Sequence, residues 1–138
     1  MSTCCLISKQ IETNKFNTIY CHFDGYLDGV GKTLLNNYSD PDKVDSLLAL
    51  GDISSLGSNL EANHEGHSFD TPVDDVVVAY HRDRGEPIEQ TESVNYTFNE
   101  LVKHNVDFIY IMQKDNNWYV YNWNKKILEL VREKLQNS

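Results

Sequence analysis

The sequence predicts an α+β fold, a mostly antiparallel sheet of about five strands with three or four helices packed on one side. Three observations carry this. Two pairs of strand-like runs, within Thr3–Phe23 and within Asp107–Trp123, are each joined by a short polar connection. The helix signals fall between and after these pairs, without the one-to-one strand–helix alternation of a doubly wound parallel sheet. Finally, 138 residues is one domain's length, read as a single domain over 1–138. Such a chain buries roughly two-thirds of its unfolded surface and needs no metal or disulfide to fold.

In order, Thr3–Ser8 is a short apolar run with strand character, and Lys9–Lys15 is a polar hairpin connection. Phe16–Phe23 resumes as a strand, with Phe16, Thr18, Tyr20 and His22 on one face and Ile19, Cys21 and Phe23 on the other. This hairpin delivers the chain to Tyr20–Gly31, where Gly25, Gly29 and Gly31 alternate with His22, Asp24, Tyr26 and Asp28. A packed core does not need that mixture. A loop that positions side chains, or admits a ligand to the backbone, does.

Val30–Tyr38 reads as a helix, with Leu34, Leu35 and Tyr38 at helical spacing. A second helix starts at Asp40-Pro41, an N-cap residue before a proline suited to the first helical position, and ends at Gly51. Gly51–Gly57 reads as a turn. Ser58–Asp75 is a long unpatterned polar segment holding His64 and His67, and Val76–Tyr80 is a β-branched apolar run expected as a central strand. His81–Ser93 is polar. Asn95–Asn105 is read as a short helix with a Thr97/Glu100 capping box. Asp107–Gln113 and Asn117–Trp123 are aromatic-rich strands joined at Lys114-Asp115-Asn116, and Asn124–Gln136 closes as an amphipathic helix.

With 12 basic and 21 acidic side chains the formal net charge is −9, which argues against non-specific binding to nucleic acid or to an anionic membrane. The acidity is concentrated between Asp40 and Glu92, where 13 acidic residues face 3 basic ones. A solvated face that keeps the chain soluble explains this; so does a decoy for nucleic acid, or a surface that docks on a basic protein. The candidate acidic surface comprises Asp42, Asp45, Glu61, Glu65, Asp70, Asp74 and Asp75. Cys4, Cys5 and Cys21 lack metal spacing and read as reduced thiols of a cytosolic protein. No signal pattern opens the chain and no apolar run approaches membrane-spanning length, so no membrane association is expected.

Gly29-Val30-Gly31-Lys32-Thr33 invites a phosphate-loop reading, but position 26 is Tyr where the pattern needs glycine. A weaker form remains, with the helix start after Gly31 holding an anion on free amides. His22 and Asp24, with His81 and Asp83, are candidates for acid–base chemistry or a metal, yet their spacing matches no zinc pattern, and no metal or cofactor is expected. Arg82 and Arg84 are either structural partners of nearby carboxylates or an anion clamp. Trp118, Tyr119, Tyr121 and Trp123 have strand spacing and read as core. The candidate ligand-binding set is His22, Asp24, Tyr26, Gly29, Gly31, Lys32, His81, Arg82 and Arg84.

Three stretches together carry a resemblance: Tyr20-Cys-His-Phe-Asp-Gly-Tyr with Gly29-Val-Gly31, Leu50-Gly-Asp-Ile-Ser-Ser-Leu-Gly57, and Ala79-Tyr-His-Arg-Asp-Arg-Gly-Glu86. They resemble a family of small, largely uncharacterised proteins of bacteriophages and prophages. The resemblance implies context more than chemistry, since small acidic phage proteins often inhibit host defence by stoichiometric binding. The expectation is therefore an anti-CRISPR-like inhibitor in the bacterial cytoplasm, binding a defence protein such as a CRISPR effector through an acidic surface without catalysis. A homodimer is compatible with this reading. The alternatives are a module sequestering an anionic nucleotide signal, and an enzyme using His22, Asp24 and His81. The three stretches are expected to converge at one end of the sheet.

Overall fold

A computed structural model describes residues 3–60 and 75–136. Its sheet contains β1 (Cys5–Glu12), β2 (Lys15–Cys21), β3 (Ile53–Ser55), β4 (Val78–Ala79), β5 (Val94–Tyr96), β6 (Phe108–Met112), β7 (Trp118–Asn122) and β8 (Ile127–Leu130). Helices α1 (Lys32–Asn37), α2 (Pro41–Ala49), α3 (Tyr80–Arg84), α4 (Ile88–Thr91), α5 (Phe98–Leu101) and α6 (Val131–Gln136) accompany it, and a single π-helical turn, Leu27–Gly31, leads into α1. The fold class is α+β, as expected. The strand order is β4-β3-β2-β1-β6-β7-β8, with β5 also paired to β2. The sheet is mixed rather than simply antiparallel, because β1 runs parallel to β6 and β2 parallel to β3.

Local chemistry explains the clearest elements. The Asp40 carboxylate accepts the Asp42 N–H, Pro41 opens α2, and Gly51 takes φ +80° just after the helix. Thr97 and Glu100 form the reciprocal capping box that starts α5. The β6–β7 hairpin turns at Asn116, whose φ is +64°.

The pleat of β1, β2 and β6 divides the core in two. On one face Cys5, Ile7, Ile19, Cys21 and Tyr110 meet Leu34 of α1, Val44, Leu47 and Leu48 of α2, and Val131 of α6. On the other, Leu6, Phe16, Ile109, Ile111 and Tyr121 meet Leu101 of α5. Helices thus lie on both faces instead of one, and the short α5 covers only part of the second.

Several elements differ from the sequence expectation. Val76–Tyr80 reads as a central strand, but Val76 forms only an isolated parallel bridge with Asn59, Val78–Ala79 pairs with β3 as the terminal strand β4, and α3 begins at Tyr80. Val76, Val77, Val78 and Ala79 are nonetheless buried. An apolar run reports burial on both faces, not position within the sheet. Asn124–Gln136 is not one helix, because Lys126 turns the chain with φ +60° and Ile127–Leu130 pairs with β7 before α6 starts. The Asn122 side chain accepts the amides of Asn124 and Lys125 and holds this turn. The Gly51–Gly57 turn contains β3, and Val94–Tyr96 is a strand ahead of α5.

Candidate functional site

The three distinctive stretches become neighbours through the sheet. Cys21 of β2 pairs with Ile53 of β3, and Ile53 pairs with Ala79 of β4. The His22 and Phe23 amides then donate to the Ile53 and Ser54 carbonyls at 3.2 and 2.9 Å.

Asp52 joins these strands through both backbone and side chain. The ladder partner of β2 changes along its length, with Phe16–Thr18 pairing to β5 and Cys21 pairing to β3. In the gap, the Tyr20 N–H donates to Asp52 Oδ1 at 2.9 Å. The Asp52 amide donates to the Thr91 carbonyl, and its own carbonyl accepts from the Tyr80 amide. Burial raises the carboxyl's pKa above the usual aspartate value, and the Tyr20 N–H opposes that shift.

A carboxyl that holds its proton more tightly when folded contributes stability below its unfolded pKa, and that contribution is lost as pH rises through its folded pKa. Asp52→Asn keeps an acceptor for Tyr20 and removes the charge. It is expected to be at least as stable as the parent at neutral pH, with the advantage shrinking in acid. Asp52→Ala should lose about 1 kcal/mol through the missing hydrogen bond. Urea melts of the three proteins at acid and neutral pH check this. An Asp52→Asn protein clearly less stable at neutral pH would contradict it.

Beside this junction, the face that α5 leaves open carries a row of side chains. The Tyr20 hydroxyl lies 2.8 Å from His22 Nδ1, and the His22 ring stacks edge-on to Phe23 at 4.6 Å. Just before β1 the Cys4 amide donates to Oδ2 of Asp107, the residue ahead of β6, at 3.2 Å, and just after β7 the Trp123 indole N–H donates to the Asp107 carbonyl at 3.1 Å. Phe23 and Trp123 are 45% and 38% exposed, so the row has aromatic ends and a carboxylate within it. Burial, with a hydrogen bond to Cys4, raises the Tyr20 pKa well above the usual tyrosine range, so the phenol stays protonated.

A pocket of about 210 Å³ opens next to Tyr20, where β2, β5 and α4 meet. Asp52, Glu92, His104, Tyr20 and Tyr96 supply its polar and aromatic lining, with Leu6 and Val94 among the apolar groups. The Glu100 and Leu101 carbonyls, at 2.9 and 3.3 Å, accept from His104 Nδ1. In the neutral ring Nε2 is therefore the lone-pair nitrogen.

The residues expected to bind an anion have other partners. Amides of the Gly29–Gly31 turn do not point outward: Gly29 and Gly31 donate to the Tyr26 carbonyl and Val30 donates to the Asp24 carbonyl. The free-amide anion site is therefore corrected to an internally bonded π turn. Gly29 is required by proximity, since a Cβ there would meet the Tyr26 ring at 3.0 Å. Asp24, exposed and at φ +59°, contributes its carbonyl to the turn, and Tyr26 is 45% exposed. Lys32 is exposed, 4.0 Å from Asp28.

Arg82 donates to the Leu60 and Val77 carbonyls and to the Asp83 carboxylate, so its guanidinium braces backbone. Arg84 pairs with Glu86 at 3.4 Å, and His81 Nδ1 donates to the Glu86 carbonyl at 2.7 Å. Among the described residues no three His, Cys, Asp or Glu side chains are placed to hold a metal ion.

Of the acidic candidates, Asp42 is exposed in the first turn of α2, Asp45 pairs with Lys9 at 2.7 Å, and Asp75 accepts from the Ser58 amide and hydroxyl. Glu61, Glu65, Asp70 and Asp74, like His64 and His67, lie outside the described residues. Sequence reasoning did not place Cys4, Glu92, Tyr96, His104, Asp107 or Trp123 at a site. They converge only through pairings distant in sequence, and only the aromatic spacing around Trp123 signalled any of them.

Comparison with protein-family models, with curated proteins and with solved structures finds no match. No helix among the described residues is long and apolar enough to cross a membrane.

Proposed function

We propose that this chain is a phage-type inhibitor of a bacterial defence system, acting in the host cytoplasm by stoichiometric binding of a protein such as a CRISPR effector. The observation that carries the binding reading is the exposed row on the open sheet face. Phe23 and Trp123 give it desolvatable aromatic ends, and His22, Cys4 and Asp107 give it polar groups between them. Aromatic anchors beside polar groups are the usual make-up of a protein-binding hot spot. A net charge of −9 favours a basic partner and speeds encounter with it. The three thiols are free, which suits a reducing compartment. The phage context rests on the three sequence stretches named above.

The reading is tested by plating. The protein is expressed in strains that each carry one defence system, CRISPR–Cas types first, and each strain is challenged with a targeted phage. Restored plating in one strain is expected. A Phe23→Ala/Trp123→Ala double variant should lose the rescue while keeping its melting temperature within a few degrees, because neither side chain belongs to the two buried core clusters. Full rescue by that variant would remove the open face from the binding surface, and no rescue in any strain would remove the inhibitor reading for those systems.

A further inference from the structure

We propose that the pocket between β2, β5 and α4 receives a basic side chain, a lysine or arginine of the partner protein, as the anchoring contact of the complex. This rests on the binding reading above and specifies the partner's chemistry.

Size is the first argument. At about 210 Å³ the pocket falls below the range of roughly 300–1,000 Å³ typical of small-molecule sites, so it suits one long side chain better than a nucleotide. Its lining is the second. Asp52 and Glu92 bring two carboxylates, Tyr20 and Tyr96 bring ring surface, and Leu6 and Val94 bring aliphatic groups. An alkyl stem ending in a cation matches each part: methylenes on the aliphatic groups, charge against carboxylates and aromatic faces. The His104 ring, held by its Nδ1 bonds to the Glu100 and Leu101 carbonyls, completes the lining.

The third argument is what Asp52 lacks. Its side chain accepts the Tyr20 amide on Oδ1, and no described lysine or arginine forms an ion pair with it. A half-buried carboxylate without a cation gains from one supplied in trans. The fourth is position. Tyr20 both lines the pocket and hydrogen-bonds His22, so pocket and aromatic row form one continuous surface. A basic side chain in the pocket would anchor the same partner that covers Phe23.

The test uses the whole chain, labelled with ¹⁵N, and titrates Nα-acetyl-arginine methylamide and its lysine counterpart, with the citrulline analogue as an isosteric neutral control. At least one basic probe should bind with a Kd on the order of millimolar, with amide shifts concentrated at Tyr20, Asp52, Glu92 and Tyr96. Asp52→Asn and Glu92→Gln should each weaken that binding about tenfold, the loss of one charge-assisted contact. Equal shifts from citrulline, or no localised shifts from either basic probe, would overturn the proposal. A free diamine, putrescine, forms a separate arm. Binding of putrescine at least tenfold tighter than either blocked amino acid would assign the pocket to a small-molecule amine and overturn the partner side chain. These titrations need no partner, so their failure is separable from failure of the plating test.

Discussion

Replacing Gly51 with alanine is expected to lower the stability of this protein by about 3 kcal/mol, a fall in Tm of roughly 10 °C. Two costs combine. Gly51 has φ +80°, the left-handed region, where a Cβ adds about 1–2 kcal/mol. An alanine Cβ would also press into the Thr91 carbonyl group, 3.0 Å from its carbon and closer still to its oxygen. Backbone would have to move, and with it Asp52, whose amide donates to that same carbonyl. Gly85 is the internal control. It has φ +85°, but a Cβ there would meet nothing within 4 Å, so Gly85→Ala should carry the left-handed cost alone. Thermal melts of both variants separate strain from collision. Equal losses would show that the Thr91 contact contributes nothing.

Arg82→Ala is the second large effect, expected at about 3 kcal/mol. Arg82 and Asp83 have side chains only 23% and 5% exposed, and the guanidinium also satisfies the Leu60 and Val77 carbonyls. Truncation removes the guanidinium from a buried carboxylate and from the two carbonyls it donates to. Lysine restores charge but not the planar fork, so Arg82→Lys should recover less than half of the loss. An anion clamp would behave oppositely, with stability preserved and ligand affinity lost. A melt of Arg82→Ala within about 0.5 kcal/mol of the parent would therefore favour the clamp over the brace.

What could be read in the sequence was local. Asp40-Pro41, Gly51, Thr97 with Glu100, and the turn at Asn116 each act within a few residues, and each does in the fold what its chemistry predicts. The alternation of Phe16, Thr18 and Tyr20 against Ile19 and Cys21 also separates the two faces of β2 as expected. Contacts across long sequence separations were not readable. The parallel pairing of Cys5 with Phe108 sets the sheet's centre, yet neither strand advertises its partner. Ile127, Leu128, Val131 and Leu135 satisfy a helical period, so that pattern hides the strand at Ile127–Leu130, whose direction the Lys126 turn fixes. The glycines of the first loop signalled close approach correctly, and the protein itself makes it: Thr3–Cys5 at Gly25, the Asp24 carbonyl and the Tyr26 ring at Gly29, and the Leu27 and Tyr110 side chains at Gly31. The pocket was least legible of all. It exists because β2 exchanges one edge partner for another, and no periodicity encodes that exchange.

The most direct measurement of the central claim is a titration of this protein into a purified, active defence effector, the one whose strain it protects. Binding through an acidic, aromatic surface predicts inhibition that is complete at a fixed molar equivalence and weakens steeply as salt is raised. Complete inhibition at a small fraction of an equivalent, growing with incubation time, would contradict it and establish turnover instead.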